Sequence, residues 1–253
     1  MNDSERERYS RQILLPGFGE AAQERLLAAR VLIVGLGGLG SPVAMYLAAA
    51  GVGQLLLADF DAVDLSNLQR QLLHSTARVG QTKVDSAMQT LAALNPTVQL
   101  EPIKRALGAG ALAELAARVD LVVDASDNFA TRYAVNAACA GAGVPLVSGA
   151  AIRTEGQVAV FSGQPGGPCY QCLYPANGDG GETCAREGVL APLVGIIGSI
   201  QATEVIKLLT GLGEPLLGRL LLLDGLTMDC RRLRIPADPG CPVCGREAGA
   251  GLS

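Results

Sequence analysis

The chain contains no tryptophan, and aromatic residues make up only 4% of it. Stacking platforms for single-stranded nucleic acid are therefore not expected. Cations are in slight deficit: 20 Lys and Arg stand against 24 Asp and Glu, for a formal charge of −4. With no cationic excess to displace counterions, a nucleic-acid partner is disfavoured. A single histidine, His74, excludes His-rich metal sites and argues against a Ser–His–Asp arrangement. Lysine is nearly as scarce. Lys83, Lys104 and Lys207 must supply any functional ammonium, because the other 17 of the 20 basic residues are arginines. The most apolar long stretch, 189–209, is broken by Pro192, Gly195, Gly198, Glu204 and Lys207, so no membrane span is expected. The charged opening MNDSERERYSRQ shows no secretory pattern. A cytoplasmic location is expected, where thiols stay reduced and paired cysteines suggest metal rather than disulfides.

Apolar residues reach 49%, and this suits an α/β core whose strands are buried on both faces. The clearest stretch is VLIVGLGGLG, residues 31–40. Val31–Gly35 reads as a buried parallel strand, and a helix is expected from about Leu39 to Ala50. Gly35, Gly37 and Gly40 have the G-x-G-x-x-G spacing between them, with Asp59 about twenty residues on. Such a turn lets backbone approach a phosphate, and the helix N-terminus supplies free N–H groups. A nucleotide site is expected; a tight turn without a ligand is the alternative.

The chain then continues strand (54–59), polar loop (59–71), helix (80–94), strand (98–103), helix (109–118), strand (120–125), helix (129–141) and strand (144–148). That alternation is a doubly wound, Rossmann-like α/β pattern. Residues 151–153 and 156–161 alternate as antiparallel strands do. Residues 163–188 read as a mobile loop, 192–209 as a buried helix with Glu204 and Lys207 on a polar face, and 220–224 and 228–235 as closing strands. The fold expected is a mixed sheet, parallel in its N-terminal half and antiparallel in its C-terminal strands.

The polar loop holds Asp59, Asp61, Asp64, Ser66, Asn67, Arg70 and Gln71. Lys83 then sits in the first turn of a helix capped by Thr82, where a cation opposes the helix dipole. It is a tolerated surface lysine or a lysine facing a bound anion. Asp127 ends a strand before a helix and is a cap or a magnesium ligand. Arg11 is one turn from Arg8, on what composition alone makes a solvated face. A NAD site needs only the glycine turn and an acid for the ribose. Arg70, Lys83 and Asp127 fit magnesium-bound ATP better, since cations neutralise phosphates and an acid holds the metal.

Seven cysteines include Cys169-Tyr-Gln-Cys172 and Cys241-Pro-Val-Cys244. Two such pairs close a tetrahedral zinc site without an open position, hence a structural one. A redox pair is the rival, weakened because neither pair opens a helix after a strand. Cys184, near Arg186 in the loop, is either a reactive thiol or incidental. Cys139 and Cys230 read as packing residues.

GLGGLG, the DFDAVDLSNLQRQ loop, GQTK, DASDN and the distant cysteine pairs together resemble the MoeB/ThiF branch of ubiquitin-activating-type enzymes. The resemblance covers roughly residues 5–245. It implies one adenylation domain over 1–253, with a helical arm (1–30), a nucleotide-binding half (31–150) and a carrier-binding and zinc half (151–253). It implies a homodimer that uses ATP and Mg2+ to adenylate the Gly-Gly tail of a ubiquitin-like sulfur carrier. A sulfurtransferase or cysteine desulfurase then supplies sulfur for a thiocarboxylate. Gly38 would lie against the nucleotide and Asp59 would hold the ribose. Ser66, Asn67, Arg70 and Lys83 would surround the phosphates, and Asp127, beside Asn128, would take magnesium. Arg11 would reach into the second subunit's site. Cys169, Cys172, Cys241 and Cys244 would bind Zn2+, and Cys184 matches the loop cysteine to which ThiF-type enzymes attach their carrier. SGAAIRTEGQ and LAPLVGIIGSIQA look like MoeB, which serves a MoaD-like carrier in molybdopterin synthesis. RYSRQILL and CYQCLYP look like ThiF, which serves ThiS in thiazole synthesis. The MoaD-like carrier is the expectation and ThiS the alternative. A NAD-dependent oxidoreductase and a non-enzymatic scaffold are the distant ones.

Overall fold

Residues 1–176 and 187–245 are described by the computed structural model. Eight strands form one sheet in the order β3-β2-β1-β4-β5-β6-β7-β8. They are β1 Arg30–Val34, β2 Gln54–Ala58, β3 Gln99–Ile103, β4 Leu121–Asp124, β5 Leu146–Ile152, β6 Glu155–Phe161, β7 Arg219–Asp224 and β8 Cys230–Arg234. The β1–β2, β1–β4, β2–β3 and β4–β5 pairs are parallel. The β5–β6, β6–β7 and β7–β8 pairs are antiparallel. The change from parallel to antiparallel pairing begins at a short connection. Two residues join β5 to β6, enough for a hairpin, whereas each parallel pair is joined through a helix.

The described helices are α1 Asp3–Arg8, α2 Ser10–Ile13, α3 Gly19–Ala28, α4 Gly40–Ala50, α5 Lys83–Leu94, α6 Ala109–Ala116, α7 Phe129–Ala142, α8 Tyr170–Leu173 and α9 Ala191–Thr210. Successive strand residues point to opposite faces and build two cores. Val31, Ile33, Leu55, Leu57 and Val123 pack with α3, α4, α5 and α9. Leu32, Val34, Leu56 and Val122 pack with α6, α7 and α8. By length and composition α9 is the one described helix apolar enough to cross a bilayer, and half of that window is buried within the fold.

Several expectations are corrected. Residues 146–152 form one strand, where two segments were expected, because its backbone pairs continuously with β6. Within 163–188, the stretch expected to be a mobile loop, residues 170–173 form the single turn α8 with Cys169 as its N-cap. The first cysteine pair therefore does open a helix. Glu204 is buried, and its carboxylate accepts from the Leu216 N–H at 2.7 Å and from the Lys207 ammonium. Cys139 is a core residue, as expected, but Cys230 lies exposed on the edge strand β8.

Candidate active site

The glycine turn links β1 to α4, and its shape demands glycine at two places. Gly35 has φ +94°, and a Cβ there would stand 2.7 Å from the Ala125 carbonyl oxygen. A Cβ on Gly40 would stand 1.9 Å from the Gly35 oxygen. The turn can fold this tightly only without those side chains. It opens onto a cavity of about 510 Å³ at the carboxyl ends of β1, β2 and β4, the end at which open α/β sheets bind ligands.

Gly38, Asp59, Asn67, Arg70, Lys83, Asp127 and Asn128 all line this cavity. The Asp59 carboxylate accepts from the Leu36 N–H at 2.8 Å and the Asp61 N–H at 2.9 Å. Lys83 is buried in the first turn of α5, which Thr82 caps by accepting from the Asp85 N–H at 3.1 Å. Its ammonium contacts the Asp61 carboxylate at 2.8 Å. Arg70 is less committed: it reaches the Ser66 carbonyl at 3.4 Å and the Asn67 side chain at 3.5 Å. Asp127 is not the cap of α7. Asn128 is, accepting from the Thr131 N–H at 2.9 Å, and this leaves the exposed Asp127 carboxylate with one long contact from Asn128, at 3.5 Å.

Two expected residues stand apart from the cavity. Ser66 gives its hydroxyl and its N–H to Asp64, which thereby holds its carboxyl below the usual carboxylate range. Arg11 is exposed on α2, and its side chain has no partner among the described residues. Cys184 lies outside the described residues.

Asp61 and Gln71 of the polar loop also line the cavity, and sequence reading missed Arg132 there. Arg132 is buried and donates to the Ser126 carbonyl at 2.9 Å and to the Tyr170 hydroxyl at 3.5 Å. Burial works against its charge, but Asp124 and the tyrosines outweigh that and hold the guanidinium firmly protonated. The available signal was spacing: Arg132 follows Asn128 by one helical turn and so faces the same way.

The donor set fits a magnesium triphosphate. One buried ammonium, one lightly held guanidinium and amide donors from Asn67 converge on one space, opposite a carboxylate with unfilled lone pairs.

The second centre is sulfur. Cys169, Cys172, Cys241 and Cys244 bring their Sγ atoms within 4.8 Å of one another. Cys169 stands 3.6 Å from Cys241, and Cys172 stands 3.3 Å from Cys244. A tetrahedral zinc with bonds of about 2.3 Å needs sulfurs about 3.8 Å apart, so the four fit that ion. Burial pushes the Cys169 thiol up. Burial also raises Cys241, but the N–H groups of Cys244 and Val243 and the neighbouring thiols outweigh it and bring it to about 7. Tyr170, between the first two cysteines, and Tyr174, just after them, line the nucleotide cavity, so α8 joins the two centres.

The chain is 52% identical to the molybdopterin-synthase adenylyltransferase of Escherichia coli (strain K12), over 97% of this chain and 99% of that one. It is 46% identical to the sulfur carrier protein ThiS adenylyltransferase of the same organism, over 97% of each. Among solved structures, E. coli MccB with MccA-N7isoASN superposes with a TM-score of 0.85 at 25% identity, over 97% of this chain and 76% of that one. The ThiF family matches residues 9–243. A match of that extent makes this chain a member of the ThiF family.

Proposed function

We propose that this chain uses magnesium-bound ATP to adenylate the C-terminal glycine of a ubiquitin-like sulfur carrier of the MoaD kind. The observation that carries the reading is the convergence of Lys83, Arg70, Asn67 and Asp127 on one cavity. The 52% identity to the molybdopterin-synthase enzyme, against 46% for the ThiS enzyme, favours a MoaD-like carrier.

A carboxylate is already a nucleophile, so no catalytic histidine is needed. The carrier's terminal carboxylate oxygen bonds to the α-phosphorus, and the bond from that phosphorus to the bridging oxygen of the β-phosphate breaks. The products are an acyl-adenylate and pyrophosphate. Lys83 and Arg70 offset the charge that builds on the phosphates, and Asn67 orients them. Magnesium, held by Asp127, would add charge neutralisation across the phosphates. Asp59 would hold the ribose. The later sulfur step, with an external sulfurtransferase or desulfurase, is where Cys184 would act; adenylation does not need it. A cytoplasmic setting suits the free thiols.

The test is exchange of labelled pyrophosphate into ATP, with purified MoaD-like and ThiS-like carriers in turn. Exchange with the MoaD-like carrier is expected. Exchange with the ThiS-like carrier alone would overturn the carrier assignment, and exchange with neither would overturn the activity.

Arg11 completes the reading as a dimer. Since its side chain has no partner among the described residues and lies outside its own cavity, it is assigned to the second subunit's site. Arg11→Ala and Lys83→Ala proteins should each be nearly inactive. Mixed subunits should return about a quarter of wild-type exchange, because half the dimers are mixed and each holds one intact site. No recovery on mixing would place Arg11 in its own subunit's site, and a fully active Arg11→Ala protein would place it outside the reaction.

A further inference from the structure

His74 lies outside the cavity lining, yet it is buried beneath the glycine turn. Its Nε2 is 2.9 Å from the Leu36 carbonyl oxygen, and its Nδ1 is 2.9 Å from the Ser86 hydroxyl. A carbonyl oxygen can only accept, so Nε2 carries the proton. Nδ1 is then an acceptor, and the fully buried Ser86 hydroxyl must donate to it. The tautomer is fixed by its neighbours.

The bonds continue into a closed circuit. The Leu36 N–H donates to Asp59 at 2.8 Å. The Asp61 N–H donates to the other Asp59 oxygen at 2.9 Å. Asp61 holds Lys83 twice, ammonium to carboxylate at 2.8 Å and Lys83 N–H to Asp61 carbonyl at 2.9 Å. Lys83 and Ser86 lie three residues apart on α5, and Ser86 returns to His74. Leu36 is thus held at both its backbone N–H and its carbonyl, by partners that also fix the lysine. The charged groups facing the imidazole are Lys83, Asp59 and Arg78. Burial pushes its pKa down. The Leu36 carbonyl and Asp59 oppose this, and Lys83 and Arg78 add to it. The ring is neutral at neutral pH, as the circuit requires.

We propose that His74 is a positioning residue, which sets the Leu36 backbone in the glycine turn and locks that turn to the helix carrying Lys83. The proposal rests on the adenylation reading above. Preorganised donors lose effect when they shift by even about 1 Å, and this circuit holds two of them to one another.

The test compares His74→Phe, which keeps a ring without a donor, with His74→Gln, whose amide nitrogen can still reach the Leu36 carbonyl. His74→Phe should raise the KM for Mg-ATP in carrier-driven pyrophosphate exchange about tenfold, the effect of leaving one buried carbonyl unpaired. Its turnover at saturating ATP should fall severalfold as well, because the same circuit holds Lys83. His74→Gln should stay within about threefold in KM. An unchanged KM in His74→Phe, or losses in both variants that track Tm, would overturn the proposal, since packing alone follows shape rather than the donor. Should His74→Phe fail to fold, Ser86→Ala takes its place and should raise the same KM severalfold. Imidazole 15N shifts of the wild-type protein at pH 7.5 should show the Nε2–H tautomer, and an Nδ1–H tautomer would equally overturn it. Wild-type exchange is the control: its absence rejects the adenylation reading, while the nitrogen shifts still test the circuit.

Discussion

Lys83→Ala should lower carrier-driven pyrophosphate exchange by about a hundredfold or more, the usual scale for one preorganised charge donor. The lysine sits where the fold does not favour it. It occupies the first turn of α5, where the helix dipole repels a cation by roughly 0.3–1 kcal/mol, and its side chain is almost fully buried. Its one ion-pair partner among the described residues, Asp61, is itself half exposed. A bound triphosphate would add a second anion beside Asp61. Arg70 is held lightly: among the described residues its side chain makes two hydrogen bonds, both at 3.4 Å or longer. Arg70→Ala should therefore lose a similar factor. Stability should move by about 1 kcal/mol or less in Arg70→Ala, whose contacts are long, and somewhat more in Lys83→Ala, whose buried stem also loses packing. Exchange rates and Tm, measured on the same preparations, separate the two effects. Near-normal exchange in both variants would remove them from the mechanism.

Much of this site was legible because its signals are local. The glycine spacing, the strand before it and the acid after it lie within thirty residues, and each reflects one backbone requirement. Each cysteine pair is a single turn of chain. What escaped was set by distance along the sequence. His74 meets Leu36 across 38 positions, and Arg132 meets Tyr170 across another 38. Nothing in the neighbourhood of either residue announces its partner. Glu204 misled for a related reason. A charged residue on an apolar helix reads as a solvated face, but here the loop before β7 turns back and supplies the N–H of Leu216 as its partner. A buried carboxylate is affordable only with such partners, and they appear only once the chain has folded. Cys230 shows the converse: an ordinary-looking cysteine is exposed because β8 forms the edge of the sheet.

If the four cysteines hold zinc, stripping it should lower Tm by about 10–20 °C. Loss of a metal is among the few changes that cost on the order of 4–5 kcal/mol, and each kcal/mol moves Tm by roughly 2–4 °C in a chain of this size. The four sulfurs tie α8, on the chain after β6, to the segment after β8. Among the described residues no disulfide or ion pair does the same for residues 236–245. Cys241→Ser should reproduce the loss, because three thiolates and a hydroxyl hold zinc less well than four thiolates. The consequence should reach the chemistry without the metal taking part in it. Cys169 and Cys172 bracket Tyr170, and Tyr174 follows; both tyrosines line the cavity and meet as a tilted pair, 5.2 Å between ring centroids and 42° between planes. Freed from zinc, α8 is one helical turn whose remaining anchors include the Asn136 side chain, which accepts from the Tyr170 N–H at 2.8 Å. Apparent affinity for the carrier should fall along with Tm, and readdition of zinc should restore both. Coordination requires thiolates, so the metal should leave more readily as pH falls. Metal content by atomic absorption, followed alongside Tm from pH 8 to pH 5.5, gives the check. Full metal loss with Tm unchanged would show that the cysteine cluster contributes nothing to the fold.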